Sequence, residues 1–419
     1  MLDINKIIDN KADIKKALLK RVDEKELDTK LNTLIAQYTE KKELIQKVDV
    51  LKAERNKNSK VKPTPEIIES MKTIGKHIKD LDDKIKQLDT KFTELMASLP
   101  NTPANDVVAG GKENNKVVKT YGKKVEFDFE PKDHVELAEN LNVIDYKRGV
   151  KMSGAGFWCY KGLGAELEWA LLNYFVDFHR KNGYTFLIPP YLLTEKSAYT
   201  SGHLPKFRDD LFWTEDKLCL NATSEMMVGN YHRDEILDIN ELPLKYYAFS
   251  TCFRREAGSY GKDERGMVRG HQFNKIEMFQ FTKPENSEKT LDELVKNAEK
   301  LVEDLDLHFQ TSLLAADDAS AAMSKTLDIE VWIPSMEIYK EVSSASNALD
   351  YQARRGNIRY KDTKTGKKEY LHTLNASGLA TSRIIPAILE NNQQKDGSVK
   401  IPKVLWPYMA GTKVIKIKK

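Results

Sequence analysis

Apolar residues recur every three or four positions through the second half of the first hundred residues. They are Ile67, Met71, Ile74, Ile78, Leu81, Ile85, Leu88, Phe92 and Leu95. The steps alternate between four and three without a break, which is the repeat that winds helices into coiled coils. The pattern therefore predicts a long helix with a single apolar seam.

A second seam lies upstream and is interrupted at Lys41. Its positions are Leu27, Leu31, Leu34, Tyr38, Ile45 and Val48. Between the two seams, residues 58–65 contain Pro63 and Pro65, which interrupt a helix. The two seams are therefore predicted to pair as an antiparallel helical hairpin over about residues 27–97. At ~1.5 Å per residue, thirty-odd residues make an arm roughly 45 Å long.

The distal part of this arm is basic. Residues 41–62 contain eight Lys or Arg against three acidic residues. Two interpretations follow from the pattern alone. The charges either form the solvated face of a dimerisation coil, or they contact a phosphate backbone, in which case binding depends on salt.

The hydrophobic pattern changes after the arm. Residues 106–124 form a polar, glycine-containing linker. Residues 156–160 and 185–190 resemble strands, and residues 166–180 have the apolar stripe of an amphipathic helix. The rest mixes helices and strands without regular βαβ alternation. This predicts an α+β domain over residues 125–419 with a largely antiparallel sheet.

Composition and charge narrow the function classes. The 419 residues are 40% hydrophobic and 31% charged, with a net charge of only +4, so nucleic-acid contact requires local clustering of charge. The three cysteines are far apart and match no zinc or disulfide spacing, so we expect a reducing compartment and no zinc. Neither a signal peptide nor a membrane-spanning stretch is recognisable. We therefore expect a cytoplasmic protein without membrane contact.

Polar residues concentrate on a predicted β-hairpin over residues 246–281, whose long loop is rich in glycine and charge. Alternation along a strand predicts that Arg254 and Glu256 share a face. It predicts the same for a set on the return strand: His271, Phe273, Lys275, Glu277 and Phe279. Two such faces, if they coincide, need a ligand to compensate their burial. The alternative is a surface strand pair with incidental ion pairs.

The segment FRREAGSYGKDERGMVRGHQFNKIE resembles motif 2 of class II aminoacyl-tRNA synthetases, in the version found in seryl-tRNA synthetases. Other blocks of that family occur in the same order. Helix 164–181 with Pro189 and Pro190 is similar to motif 1, and residues 221–225 (NATSE) resemble the serine-binding block. The segment EVSSASNALDYQARRGNIRY resembles the magnesium and ATP segment, and HTLNASGLATSRIIPAILENNQ resembles motif 3. The resemblance covers essentially the whole chain.

The resemblance implies a tRNA-binding domain over residues 1–105 and a class II catalytic domain, built on an antiparallel sheet flanked by helices. It implies a ligase that activates L-serine with ATP to seryl-adenylate, releases pyrophosphate and transfers serine to tRNA(Ser), and to tRNA(Sec) where that is present. Through motif 1 it also implies a homodimer. One alternative is a paralogue that activates an amino acid for a carrier protein. Another is a catalytically inactive tRNA-binding module.

The family pattern also implies the residues that handle ATP and metal. Arg254 and Arg383 are the expected catalytic residues, holding the α- and γ-phosphates. Glu341 and Ser344 are the expected Mg²⁺ ligands; because they are three residues apart, we predict a bulge or turn in the strand there. The residues expected to bind ATP are Arg254, Arg255, Glu256, Arg269, Phe273, Glu341, Val342, Ser343, Ser344 and Arg383.

Serine recognition is assigned by the same resemblance. Thr223 and Glu225 would take the ammonium group from one face of a strand, and Glu277 with Ser377 would take the hydroxyl group. The expected serine-binding residues are Thr223, Ser224, Glu225, Arg254, Glu277, Asn375 and Ser377.

Several positions depart from the family pattern. Ser224 stands where alanine is common, and Ala345–Ala348 lack the usual cysteines. Asp317-Asp318 replaces a glycine-bearing turn, so we expect a different local turn there and, with it, a different floor of the serine pocket. Pro386 falls within the predicted motif 3 helix, where it should remove a hydrogen bond and kink the axis.

Overall fold

The computed structural model describes residues 1–60, 62–257 and 266–417. The chain divides into two compact units, Met1–Thr102 and Pro103–Lys419. No helix within the described ranges is long and apolar enough to cross a membrane.

The first unit is helical, as the two seams predict. Asp23 begins the first long helix by accepting a hydrogen bond from the backbone of Glu26, at 3.1 Å. Thr64 caps the second, which starts at Pro65, where proline is tolerated because its missing N–H has no intrahelical partner. The helices are α1 (Ile4–Asp9), α2 (Lys11–Leu18), α3 (Glu24–Asn58) and α4 (Pro65–Ser98).

Helices α3 and α4 pack along the predicted seams. Val48, Ile74 and Ile78 form a buried cluster between them. The interruption at Lys41 also has a structural reason, because Lys41 forms an ion pair with Asp89. The Lys41 ammonium group lies 5.9 Å from the centre of the Phe92 ring. The two helices therefore form the predicted antiparallel hairpin.

The second unit is built on one eight-stranded sheet. Its helices are α5 (His134–Asn140), α6 (Tyr146–Ser153), α7 (Leu163–Lys181), α8 (Glu195–Thr200), α9 (Glu225–Val228), α10 (Ser287–Asp304), α11 (Tyr351–Gly356) and α12 (Thr381–Asn391). Its first strands are β1 (Lys116–Tyr121), β2 (Ile144–Asp145), β3 (Cys159–Tyr160), β4 (Thr185–Leu187), β5 (Leu192–Thr194), β6 (Leu218–Leu220), β7 (Ile236–Asp238), β8 (Leu244–Phe253) and β9 (Gln272–Thr282). The remaining strands are β10 (Phe309–Leu313), β11 (Lys325–Ile333), β12 (Ile338–Asn347), β13 (Arg359–Lys361), β14 (Lys368–Tyr370), β15 (His372–Ala380), β16 (Val399–Lys400) and β17 (Val414–Ile415).

The strand order in the large sheet is β1-β10-β11-β12-β15-β9-β8-β4. All neighbours are antiparallel except β4 and β8, which are parallel. Helices α7, α10 and α12 contribute apolar side chains to the main core beside this sheet. The α+β class with a largely antiparallel sheet is confirmed.

Two predicted strands are shorter than expected. The strand over 156–160 forms only at Cys159–Tyr160, because Gly156 has a φ of +81° and turns the chain. The strand over 185–190 ends at Leu187, just before Pro189 and Pro190, whose nitrogens cannot donate to a ladder.

Candidate active site

Strands β8 and β9 form the predicted hairpin and pair from Leu244 with Phe281 to Phe253 with Gln272. Part of its long loop, residues 258–265, lies outside the described residues. Both Arg254 and Glu256 lie beyond the end of β8, and Glu256 has a φ of +50°. The prediction that these two share a strand face is therefore wrong, because the chain leaves the ladder and turns at Glu256.

A cavity of about 710 Å³ opens at the end of this hairpin and is lined mainly by charged and polar residues. Side chains from β9, β12, β15 and α12 meet those of the segment before α9 around it. Eleven of the residues expected to bind substrate line it: Thr223, Glu225, Arg254, Glu256, Arg269, Glu277, Glu341, Ser344, Asn375, Ser377 and Arg383.

Three further predicted residues support the cavity from behind. Ser224 is buried, with its Oγ 2.7 Å from Ser250 Oγ. Val342 packs into the main core. Ser343 Oγ donates to the carbonyl oxygen of Ser377 at 2.6 Å. Their side chains hold the wall of the site, so their backbone atoms are what they can offer to a ligand.

Arg255 and Phe273 lie beside the cavity. The Arg255 backbone N–H donates to Asp210 O at 2.9 Å, and its guanidinium group donates to Asp209 O at 3.2 Å. The Arg254 guanidinium carbon lies 5.2 Å from the centre of the Phe273 ring. One face of that ring therefore already carries a cation.

The sequence predicted that Thr223 and Glu225 lie on a strand, and this prediction is wrong. Strand β6 ends at Leu220, and Glu225 is the first residue of the short helix α9. The two still lie together, because the Glu225 backbone N–H donates to Thr223 Oγ1 at 3.4 Å. Burial and the charge of Glu277 raise the pKa of Glu225 to about 7. A ligand cation would offset both effects.

A polar chain crosses the cavity at Lys275. Its Nζ donates to Thr223 Oγ1 at 2.7 Å and forms an ion pair with Glu277 Oε2 at 2.5 Å. Glu277 Oε1 accepts from Asn375 Nδ2 at 2.8 Å, and Oε2 accepts from Ser377 Oγ at 3.3 Å. Four of the predicted serine-binding residues are thus joined through one lysine.

The predicted bulge at the expected metal site is present. On β12, Ser343 pairs with Ile329 and Glu341 pairs with Glu330, so Val342 is the extra residue. The bulge allows both Glu341 and Ser344 to line the cavity. The prediction made from their three-residue spacing is confirmed.

Glu341 is held by Arg383. Arg383 Nη1 donates to Glu341 Oε2 at 2.5 Å and to its carbonyl oxygen at 2.8 Å. Burial alone would raise the pKa of Glu341, but the charge and hydrogen bond of Arg383 lower it below its ordinary value. Arg383 is the third residue of α12, and Pro386 lies within that helix, as the sequence predicted. The proline removes the backbone bond to Ser382 alone, so the helix continues.

Asp318 lines the cavity, so the unusual pair at 317–318 does reach the site. Asn115 Nδ2 donates to Asp318 Oδ2 at 2.7 Å, and the Asp317 backbone N–H donates to Gly110 O at 3.0 Å. These bonds fix the turn to residues of the predicted linker. Neither Asp317 nor Asp318 has a positive φ, so the turn does not require glycine at these two positions.

Lys275, Gln352, Asp328 and His203 contribute to the site but had no role assigned from the sequence. His203 and Asp328 line the cavity. Burial, with the nearby charges of Arg254, Lys275 and Arg355, lowers the pKa of His203 to about 3, so it is neutral. Gln352 does not line the cavity, and its side-chain amide donates a hydrogen bond to the Glu225 carboxylate. Strand alternation did place Lys275 on the same face as Glu277. That alternation was the one signal in the sequence that could have assigned Lys275 to the site.

Among the residues that the structure describes, no group of three or more His, Cys, Asp or Glu side chains forms a metal cluster. One orphaned atom does fit a cation. Asp328 Oδ1 is buried and has no hydrogen-bond partner among the described residues, and Asp328 pairs with Ser344 across β11 and β12. Burial and the charge of Glu341 raise the pKa of Asp328 well above its usual range. A hard cation between these oxygens would relieve that repulsion.

Two families match the chain. Residues 1–103 match the seryl-tRNA synthetase N-terminal domain, and residues 206–392 match the tRNA synthetase class II core domain (G, H, P, S and T). Serine--tRNA ligase 2 of Clostridium acetobutylicum is 52% identical over 99% of this chain and 100% of the relative.

Two crystal structures share the fold over the whole chain. The seryl-tRNA synthetase of Pyrococcus horikoshii complexed with ATP superposes with a TM-score of 0.93 and 34% identity, covering 100% of both chains. The cytoplasmic serine-tRNA ligase of Naegleria fowleri in complex with AMP has a TM-score of 0.88 and 31% identity, covering 100% of this chain and 99% of the other.

Proposed function

The chain belongs to the seryl-tRNA synthetase family, and on that premise we propose how its own residues activate L-serine with ATP and transfer it to tRNA(Ser). One observation carries the proposal. Carboxylates suited to an amino acid and arginines suited to phosphates line the same cavity, with Glu225 and Glu277 among the former and Arg254 and Arg383 among the latter. The enzyme is a serine--tRNA ligase of class II.

Activation is the attack of the serine carboxylate on the α-phosphate of ATP, with release of pyrophosphate. The nucleophile is already ionised at neutral pH, so no general base is required. The protein has to position two anions and balance their charge. Arg254 suits both the carboxylate and the α-phosphate, because its planar fork donates two parallel hydrogen bonds. Arg383, in the first turn of α12, suits the γ-phosphate.

The adenine is assigned to the segment after β8. Glu256 lines the cavity and accepts from Arg269 Nη1 at 3.0 Å, so its carboxylate position is fixed. It is placed to accept from the exocyclic amine, with the ring against Phe273. Arg255 would act through its backbone bond to Asp210, which ties this segment to the chain before β6.

Magnesium fits the oxygen-rich wall at the β12 bulge. Glu341, Ser344 and Asp328 would hold it, all with oxygen donors, as this hard cation prefers. When bound, the ion would supply positive charge that offsets the charge of the phosphates. The chain's own contribution is to keep Glu341 ionised through Arg383, and to hold Ser344 and Asp328 opposite each other in the ladder.

Serine binds by its three functional groups. Glu225 and Thr223 take the ammonium group, Arg254 takes the carboxylate, and Glu277 with Ser377 and Asn375 takes the hydroxyl side. A site built to bond a hydroxyl strongly rejects the analogue that lacks it. Threonine keeps the hydroxyl and must instead be excluded by the space around its extra methyl group.

The N-terminal domain, residues 1–105, is proposed to bind tRNA(Ser) with the α3–α4 hairpin, followed by a linker over 106–124 and the catalytic domain over 125–419. The basic distal part of the hairpin is the observation that supports this. A paralogue that loads a carrier protein would have little use for such an arm. We place the activity in the cytoplasm, where tRNA is charged.

A homodimer is proposed through α7 and β4. Strand β4 is an edge strand of the large sheet. Trp169 on α7 is 60% exposed and Ile188 after β4 is 72% exposed. Large apolar side chains next to an open edge are typical of a surface covered by another chain.

Amino-acid-dependent pyrophosphate exchange across a panel of amino acids, followed by charging of total tRNA, tests the proposal. We expect exchange with serine and charging of tRNA(Ser). Arg254→Ala should lower exchange by orders of magnitude, while the matched variant Arg148→Ala, at a 76% exposed side chain, should not. Preferred activation of another amino acid, or activation without tRNA charging, would overturn it.

A further inference from the structure

Lys275 occupies an unusual place for a lysine. Its side chain is 6% exposed, and it lines the cavity between Thr223 and Glu277. Buried lysines require partners, because desolvation of an ammonium group costs several kcal/mol. Thr223 and Glu277 provide them at 2.7 and 2.5 Å.

The hydrogen-bonding capacity of this pair is incompletely used among the described residues. An ammonium group has three N–H donors, and Lys275 uses two, on Thr223 and Glu277. A carboxylate accepts about four hydrogen bonds, and Glu277 accepts three, from Lys275, Asn375 and Ser377. One donor of Lys275 and one acceptor position of Glu277 therefore remain, and both side chains line the cavity.

A hydroxyl group is the complement of such a pair, because its oxygen accepts while its hydrogen donates. We propose that Lys275 is a specificity-determining residue, which donates to the side-chain oxygen of the substrate while Glu277 accepts the hydroxyl hydrogen. This assignment rests on the proposed function, in which serine is the substrate. It adds a direct contact with the hydroxyl oxygen, which none of the acidic residues at the site can make.

The charges in the serine pocket support this assignment. The serine pocket is the part of the cavity around the proposed serine-binding residues, and its charged members are the carboxylates Glu225 and Glu277 and the cations Lys275 and Arg254. The ammonium and carboxylate groups of an amino acid balance Glu225 and Arg254. Lys275 and Glu277 then balance each other, so the part of the pocket facing the side chain is polar but without net charge. A neutral hydroxyl satisfies it, whereas a methyl group leaves both charged groups short of a partner.

Stability alone does not account for this lysine. Replacing a buried ion pair by apolar residues is often neutral or stabilising. If Lys275 only held Thr223 and Glu277 in place, removing it would also weaken the binding of alanine, because Thr223 serves the ammonium group that all amino acids share. If it bonds the hydroxyl, removing it weakens serine and leaves alanine nearly unaffected. The two roles therefore predict different selectivity.

A double-mutant cycle between protein and ligand separates them. Dissociation constants of the non-reactive seryl- and alanyl-sulfamoyl adenosines are measured by calorimetry with the wild-type chain, Lys275→Met and Lys275→Gln. We expect the wild type to prefer the seryl analogue by about 100-fold or more. Lys275→Met should reduce this preference at least tenfold, chiefly by weakening the seryl analogue. Lys275→Gln, which keeps one donor, should fall between the two and carries the test if the Met variant does not fold.

Lys340→Met is the matched control, because it removes a cation from the same cavity wall outside the serine pocket. This variant should leave the ratio of the seryl and alanyl dissociation constants within about twofold of the wild-type ratio. Changes at separate sites are additive to about that precision. An unchanged ratio in both Lys275 variants, with equal weakening of the two analogues, would overturn the role of Lys275. A wild-type chain with no preference for the seryl analogue would overturn the proposed function instead.

Discussion

Gln352 Nε2 donates a hydrogen bond of 2.6 Å to Glu225 Oε1, across 127 positions of sequence. The orientation of the Gln352 amide is fixed from both ends. Its Nε2 also donates to Ser201 O at 2.9 Å, and its Oε1 accepts from Thr373 Oγ1 at 2.7 Å. Glu225 therefore meets the substrate from a position that Gln352 sets.

Removing this support should weaken serine binding through Glu225. Gln352→Leu removes a hydrogen bond that lowers the pKa of Glu225 against the effect of burial. We expect the KM for serine to rise about 10- to 100-fold, the range of a lost bond to a charged group. We also expect the acidic limb of the pH profile of kcat/KM to move to higher pH. Steady-state pyrophosphate exchange from pH 5.5 to 8.5 measures both.

Gln394→Leu is the control for this change, because Gln394 is a partly buried glutamine that does not line the cavity and is bonded to Ser398 at 2.7 Å. It should leave the profile in place. A Gln352→Leu variant that loses activity uniformly at every pH would show that Gln352 supports the fold and does not orient Glu225.

Serine affinity should itself depend on pH. The pKa of Glu225 is raised to about 7 by burial and by Glu277, so in the empty site this carboxyl group is protonated below that pH. It has to ionise to bind the serine ammonium group. Affinity should therefore fall as the pH falls below about 7, approaching tenfold per pH unit. Calorimetry at pH 6 in two buffers of different ionisation enthalpy should show release of up to one proton per serine bound. Binding enthalpies that do not differ between the buffers would contradict this.

The ion pair between Arg383 and Glu341 predicts how the site depends on magnesium. Glu341→Gln removes a charged metal ligand and the partner of Arg383, so half-maximal pyrophosphate exchange should need at least about tenfold more Mg²⁺. Glu337→Gln, at an exposed position on the same chain segment, should leave the requirement unchanged. Titration of both variants with Mg²⁺ at saturating serine makes the comparison. An unaltered requirement in Glu341→Gln would exclude Glu341 as a ligand.

Changes at the tip of the arm should weaken tRNA binding and leave the activation of serine unchanged. Replacing the exposed residues Lys52, Arg55 and Lys57 by serine removes three charges near the α3–α4 connection. We expect serine-dependent pyrophosphate exchange to change less than about twofold, the KM for tRNA to rise at least tenfold, and its salt dependence to become shallower. The control is a second triple variant, with serine at the exposed Lys84, Lys86 and Lys91 of α4, which removes the same charge away from the tip. Equal effects of the two triple variants on charging would show that net charge, not the tip, governs tRNA binding.

Local patterns in the sequence predicted the parts of the structure that local chemistry decides. The heptad repeat predicted α3 and α4, because adjacent turns of one helix specify a seam. The three-residue spacing of Glu341 and Ser344 predicted the bulge, because a regular strand would point them apart. Arg254 and Glu256 were misplaced, since nothing in their spacing shows that β8 ends at Phe253.

Contacts between segments that are distant in the chain could not be predicted from the sequence. Gln352 supports Glu225 only because α11 packs near α9, and no periodicity encodes that approach. Lys275 was placed on the right face of β9. Its role depends on the register of β9 with β15, in which Ser377 pairs with Glu277. Asp328 likewise joins the expected metal site only through its pairing with Ser344.

The last prediction concerns Glu168, a buried residue that links three elements of the catalytic unit. Its Oε1 accepts from Asn274 Nδ2 on β9 and from Thr381 Oγ1 at the start of α12, both at 2.8 Å. Glu168 itself lies on α7, so one carboxyl group ties the proposed dimer helix to the strand of Lys275 and the helix of Arg383. Burial raises its pKa from 4.5 to about 7.

A raised pKa in the folded state means that the folded chain binds the proton more tightly than the unfolded chain. The stability contributed by protonated Glu168 is therefore complete below about pH 4.5 and is lost as the pH rises to about 7, by up to about 1.4 kcal/mol per pH unit. Glu168→Gln keeps the acceptor and cannot ionise, so its free energy of unfolding should exceed that of the wild type increasingly over this range. Glu168→Leu leaves two donors unpaired and should cost about 1–3 kcal/mol for each. Urea unfolding of the three chains from pH 4.5 to 8 measures the differences, in which other titrating groups such as Glu225 cancel. Parallel curves for the wild type and Glu168→Gln would mean that Glu168 stays ionised, and that its bonds to Asn274 and Thr381 outweigh its burial.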